Sequence, residues 1–180
     1  MHHVIELRLD EETEGVITSI WQEFARRGLT SRMLDAGGRP HLTLLAASRF
    51  PLEAREGELA GLAESQAPIE ITFSHLGVFS GESEVLYAGV ADPAPLEDLQ
   101  RRLFEIFAPS VEVFPLYRPG ATTFHCTLGL GIARGDLPEA AALARAVAWP
   151  MSFSANACEI VEYDERARFL ASYGFAKEVV

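Results

Sequence analysis

Two short stretches, His41-Leu42-Thr43-Leu44 and His125-Cys126-Thr127-Leu128, decide how this sequence is read. The first follows a turn-rich segment containing Gly37-Gly38 and Pro40, and both have the composition of strands. Side chains alternate faces along a strand. His41 and Thr43 therefore point one way while Leu42 and Leu44 point toward a core, and His125 and Thr127 repeat the arrangement with Cys126 and Leu128 behind. Each strand presents an imidazole beside a hydroxyl on its polar face. Two such strands facing each other would surround one space with two of each.

Working outward from the first stretch, Val4 to Leu9 alternates as a half-buried strand with Ile5, Leu7 and Leu9 on one face. Asp10 stands where an N-cap opens a helix, which carries Val16, Ile20 and Phe24 at i, i+4, i+8 and stops at Gly28. Residues 30–40 read as a loop, Leu52 to Ser65 as a second helix, and Ile69 to Phe79 and Val85 to Ala91 as strands around a Gly-Glu-Ser-Glu turn. The order then repeats. Asp92 with Pro93 and Pro95 opens a helix whose Leu96, Leu99, Leu103 and Phe107 share a stripe, a loop covers 109–123, and Phe124 to Leu128 is a strand. Asp136-Leu137-Pro138-Glu139 has the form of a capping box for a helix to about Val147, and strands fit Met151 to Tyr163 and Phe169 to Phe175.

The two His-x-Thr stretches lie 84 residues apart, as do Val85-Leu86-Tyr87 and Phe169-Leu170-Ala171, while Ile71-Thr-Phe-Ser and Met151-Ser-Phe-Ser pair at an offset of 80. This spacing predicts an α+β fold in which residues 1–180 form one domain of two interleaved lobes related by a pseudo-twofold.

Composition bounds the chemistry. The 180 residues carry 26 Asp+Glu against 15 Lys+Arg, a formal net charge of −11 and a pI near 4.9. Such a field repels long polyanions and anionic membrane, because affinity for polyphosphate comes mainly from Lys and Arg releasing counterions. Two cysteines without CxxC spacing suit free thiols in a reducing cytoplasm, and no secretory or membrane-spanning segment is visible. His2 and His3 are native or the remnant of a tag, and no function is assigned to them.

The paired motifs resemble those of the two-histidine (2H) phosphoesterase superfamily, which includes the 2′–5′ RNA ligase-like proteins and cyclic nucleotide phosphodiesterases. Its members carry one His-x-Thr/Ser motif per lobe. The resemblance implies two antiparallel sheets around a central cleft with helices outside. It also implies catalytic roles for His41 and His125 and phosphate binding by Thr43 and Thr127. The sequence departs from the RNA-end-processing branch, where a basic residue often follows the second motif: here the stretch reads Gly129-Leu130-Gly131-Ile132, with no arginine before Arg134.

Elementary chemistry leads to the same mechanism. Hydrolysing a cyclic phosphodiester needs a water deprotonated on one side of phosphorus and a leaving alkoxide protonated on the other, and imidazoles titrating near neutrality do both. Threonine hydroxyls can donate to the nonbridging oxygens, so neither metal nor cofactor is required. Which histidine is base and which acid stays open at this level. Arg39, Tyr117 and Arg118 in the two loops, and Arg8 on the first strand, are further candidates for contacting phosphate or a base, although Arg8 reads ordinarily as a surface partner of Glu6 or another carboxylate. His75 lacks a Thr partner and reads as structural. Cys126 neighbours His125 in sequence but points to the opposite face, so no thiol dyad forms. A zinc site lacks HExxH spacing and a third ligand.

The expected substrate is a small nucleotide or terminal phosphodiester handled by a cytoplasmic monomer: a 2′,3′-cyclic phosphate, a related cyclic nucleotide or a 2′,5′-linked end. Long RNA is expected to bind weakly and membrane not at all. Two other readings share the cleft, a noncatalytic nucleotide-binding protein and a 2′–5′ RNA ligase.

Overall fold

Alternation in the first nine residues becomes strand β1 (His2–Arg8) in a computed structural model that describes residues 1–176. Helix α1 (Glu11–Arg26) starts where Asp10 accepts a hydrogen bond from the Thr13 amide at 2.8 Å, and Gly28 ends it with a φ of 72°. Its buried stripe is Thr13, Ile17, Ile20, Trp21 and Phe24, one position round from the expected Val16. A short helix α2 (Arg32–Asp35) interrupts the expected 30–40 loop, and the first motif opens strand β2 (His41–Ala47). Helix α3 (Leu52–Ser65) and strand β3 (Ile69–Phe79) have the bounds expected from sequence, followed by β4 (Glu84–Val90) and helix α4 (Ala94–Phe107).

The second motif opens strand β5 (His125–Ile132), longer than expected because it continues through Gly129 and Gly131. Helix α5 (Leu137–Arg145) ends two residues early. Asp136 sits at its N-cap with helical backbone angles and makes no side-chain capping bond, so the capping box is absent. Strands β6 (Met151–Ala155), β7 (Ala157–Tyr163) and β8 (Ala167–Gly174) close the described chain, and residues 177–180 lie outside it.

The strands form two antiparallel four-stranded sheets, β2-β1-β7-β8 and β5-β4-β3-β6. The first is built from both ends of the chain and the second from its middle. The fold is α+β, as expected. Reading inward from the His-bearing edges, β2 corresponds to β5, β1 to β4 and β7 to β3. Two of the sequence offsets do not follow this symmetry. Ile71 and Phe153 are hydrogen-bonded neighbours in the same sheet rather than equivalents, and β4 adjoins its His strand while β8 is the far edge of the other sheet. Short strands share β-forming composition whether they pair or correspond, so identity alone does not separate the two cases.

Helices cross between sheets. Helix α1 leaves β1 and packs on β5, while α4 leaves β4 and packs on β2. Their apolar stripes join the core faces of both sheets into one cluster that includes Ile5, Leu7, Leu42, Leu44, Cys126 and Leu128.

Candidate active site

Strands β2 and β5 are edge strands that meet each other, and each carries a bulge immediately after its motif. Glu6 pairs with Thr43 and Ile5 with Leu45, leaving Leu44 unpaired. Likewise Tyr87 pairs with Thr127 and Leu86 with Gly129, leaving Leu128 extra. A bulge bends the strand and frees ladder groups that need other partners. Helices supply them. Gln100 of α4, fully buried, donates its side-chain amide to the Leu44 carbonyl at 2.8 Å and to Thr122 Oγ1 at 2.6 Å, while Trp21 of α1 donates Nε1–H to the Thr127 carbonyl at 3.0 Å. Each crossing helix thereby fixes the backbone that aims one threonine.

The two histidines are held alike. His41 donates Nδ1–H to the carbonyl of Arg39 at 2.7 Å, and His125 donates Nδ1–H to the carbonyl of Thr123 at 2.6 Å. In the neutral ring this sets the tautomer and leaves Nε2 as the free nitrogen. The strands are close enough that the Cys126 thiol sits against the His41 backbone, and charge on His41 is felt at His125. Thr43 and Thr127 are half-buried on the same faces as their histidines.

The surroundings break the symmetry. Beside His41, the side chains of Thr43, Glu6, Glu159 and Ser172 line up across the four strands of the first sheet. Glu6, only 3% exposed, places Oε2 at 3.6 Å from His41 Nε2 and accepts a hydrogen bond from the Tyr163 hydroxyl at 3.2 Å. Burial pushes the Glu6 carboxyl above its usual range, against the opposing pull of His41 and Tyr163. Burial and the Glu6 charge together push the Tyr163 phenol up, so it keeps its proton.

In the second sheet the row through Thr127 reads Tyr87 and Gly77, and the row through His125 reads Gly89 and His75. Phe79 stacks on Tyr87 at 4.2 Å and meets the His125 ring edge-on at 4.9 Å. The two glycines make room. A Cβ on Gly77 would lie 2.2 Å from the Tyr87 ring, and one on Gly89 would lie 2.3 Å from His75 Nε2. His75, read from sequence as structural, is thus exposed and lies across Gly89 toward His125. Burial holds His125 below the ordinary imidazole range, the Thr123 carbonyl opposes this, and charge on His41 adds to it.

Arg8 pairs in register with His41, so it reaches the cleft. Its carboxylate neighbour is Glu14 at 3.8 Å rather than Glu6, which is buried. Arg39 approaches the same Glu14 at 3.9 Å, and both arginines line a cavity beside His41. The other loop candidates turn elsewhere. Tyr117 packs against the core, and Arg118 donates to the Val113 carbonyl at 3.0 Å within its own loop. Arg134 is engaged by Glu84 at 2.9 Å. His3 is not an inert appendage: it accepts from the Phe50 amide at 3.1 Å and pairs with Glu162 at 3.3 Å. Both thiols are buried, and burial pushes Cys126 up to about 12. Among the described residues no three His, Cys, Asp or Glu side chains gather as a metal site, and no helix is long and apolar enough to cross a membrane.

Twinned His-x-Thr strands on facing sheet edges are the arrangement of a two-histidine phosphoesterase. The sequence profile of the 2′-5′ RNA ligase superfamily matches residues 12–167, and the chain belongs to that family. Solved structures share the fold. E. coli LigT complexed with 3′-AMP is 21% identical with a TM-score of 0.62, covering 98% of each chain. TT0787 of Thermus thermophilus is 17% identical with a TM-score of 0.63, covering 99% of this chain and all of the other. Usb1 of Kluyveromyces marxianus is 14% identical with a TM-score of 0.54, covering 94% and 97%. Comparison with curated proteins gives no match.

Glu6, Glu159, Tyr163, Tyr87 and Phe79 escaped the sequence reading. Glu6 carried one available signal: it lies two residues from Arg8 on the strand face opposite Ile5 and Leu7, the face that turns to the cleft.

Proposed function

We propose that the protein hydrolyses a small cyclic phosphodiester, a 2′,3′-cyclic phosphate or related nucleotide end, by acid–base catalysis between His41 and His125. The observation that carries this reading is the matched pinning of both Nδ1 atoms to carbonyls two residues earlier, which leaves Nε2 of each ring for proton transfer, that of His41 facing Glu6 Oε2 at 3.6 Å. The environments favour one division of roles. His125, desolvated among aromatic rings, rests neutral and takes the proton from the attacking water. His41, with the Glu6 carboxylate 3.6 Å away as counter-charge, carries the proton that the leaving ribose oxygen receives. As water's oxygen bonds to phosphorus, the bond to the ribose oxygen breaks, and one proton enters at His125 as another leaves His41. Thr43 and Thr127 hydroxyls donate to the nonbridging oxygens, where charge accumulates. In this reading Arg8 and Arg39 flank the entering phosphate, and Tyr117 and Arg118 take no part.

The test is turnover of a panel of 2′,3′-cyclic nucleotides and short 2′,5′ oligomers by wild type and by His41→Ala and His125→Ala proteins. Each substitution is expected to lower kcat by about 10²–10⁴, and a chelator to leave wild type unchanged. Full activity in His125→Ala would end the two-imidazole mechanism. A ligand-dependent rise in Tm without product would make the protein a binder.

A further inference from the structure

Glu159 is 8% exposed overall with its carboxylate oxygens open to a cavity, and among the described residues no side chain donates to it. Its strand position puts it opposite Glu6 on the cleft face, and it lines a cavity of about 480 Å³ adjoining His41, within the size range of small-ligand sites. A carboxylate that no protein donor engages and that opens onto a cavity is free to accept from a ligand that brings donors. The neighbouring carboxylate is already occupied, since Glu6 accepts from Tyr163 and faces His41. The remaining walls define the ligand's shape. Phe169 is 57% exposed at the cavity, Tyr163 lies along another side, and both offer flat apolar surface. Arg39 at the mouth supplies positive charge toward the phosphate end.

We infer that this cavity is the base-recognition site of the enzyme and that it selects guanine. The inference rests on the phosphoesterase reading above. A carboxylate accepts at both oxygens, and guanine is the nucleobase whose pairing edge presents two adjacent N–H donors, at N1 and N2. Adenine offers an acceptor beside its amino group, uracil one donor between two carbonyls, and cytosine an acceptor beside its amino group, so each turns lone pairs toward Glu159. Glu159 stands two strand spacings from Thr43, about 10 Å, which leaves room for a ribose between phosphate and base. The ring stacks on Phe169 or Tyr163.

The experiment compares kcat/KM for the 2′,3′-cyclic phosphates of guanosine, adenosine, cytidine and uridine, and the equilibrium binding of 3′-GMP and 3′-AMP. Wild type should favour guanosine by about 10- to 100-fold, the worth of hydrogen bonds to a charged group. Glu159→Gln is the decisive variant. Its amide offers one donor and one acceptor, which match adenine and cytosine and also meet the O6 and N1–H of guanine, so the guanosine advantage should collapse to within about threefold of the other bases. Phe169→Ala, on an exposed side chain, should weaken all four substrates by a similar factor. Turnover without base preference, or a Glu159→Gln protein with unchanged preference, overturns the inference while leaving the phosphoesterase reading intact. Guanosine-selective binding without turnover of any cyclic phosphate supports the pocket and overturns that reading instead.

Discussion

Replacing Gln100 with leucine tests whether the helix crossing from the opposite sheet really holds the first motif. Gln100 is fully buried, and its amide satisfies the Leu44 carbonyl freed by the bulge at 2.8 Å and the Thr122 hydroxyl at 2.6 Å. Leucine keeps most of the volume and strands the two close acceptors, at about 1–3 kcal/mol each, along with the longer 3.3 Å contact to the Tyr117 carbonyl. Part of this is returned, because Gln100 Oε1 is itself buried without a partner, and removing it recovers a share of the same order, about 1–2 kcal/mol. The net loss is then about 2 kcal/mol, or a fall in Tm of about 4–8 °C for a domain of this size. Urea denaturation should show a lower midpoint with an unchanged slope. Activity should also fall, since Leu44 follows the threonine whose aim depends on the bulge. A Gln100→Leu protein with wild-type stability and turnover would refute the claim that this side chain carries the bulge.

Two further outcomes follow from the second sheet. The pKa of His125 is held below 6.5, so the acid limb of the kcat/KM profile should lie below that value, and NMR titration of the ring should report the same. Because the unfolded chain binds the proton more readily, this group's contribution to stability is complete above pH 6.5 and is lost as pH falls from there through the folded pKa; a Phe79→Ser protein should move the limb upward. Gly77→Ala puts a Cβ 2.2 Å from the Tyr87 ring, which must leave its stack on Phe79; a loss of about 1–3 kcal/mol and lower kcat are expected, whereas unchanged kinetics would mean the stack does not position His125.

Much of the fold is legible in the residues. Helix α3 and strand β3 have the bounds that periodicity predicts, and Asp10 caps α1 through its own side chain, because these are local matters of spacing and nearby donors. The Asp136 box fails for a related reason. Its backbone is helical where a capping residue is extended, and its side chain accepts from no amide of the first turn. Repeat identity misled for β3 and β6, which pair with each other.

By itself, the sequence determined that His41 and Thr43 share one face of a strand and His125 and Thr127 one face of another, because alternation is a property of the single strand. The family and the chemistry rest on that. The tertiary structure alone decided what stands beside each imidazole. Register between β1 and β2 sets Glu6 against Thr43, and register between β4 and β5 sets Tyr87 against Thr127, with a bulge shifting each ladder just past its motif. One-residue shifts of this kind are fixed by helices packed from the opposite sheet, far away in sequence. They make one histidine a neighbour of carboxylates and the other a neighbour of aromatic rings.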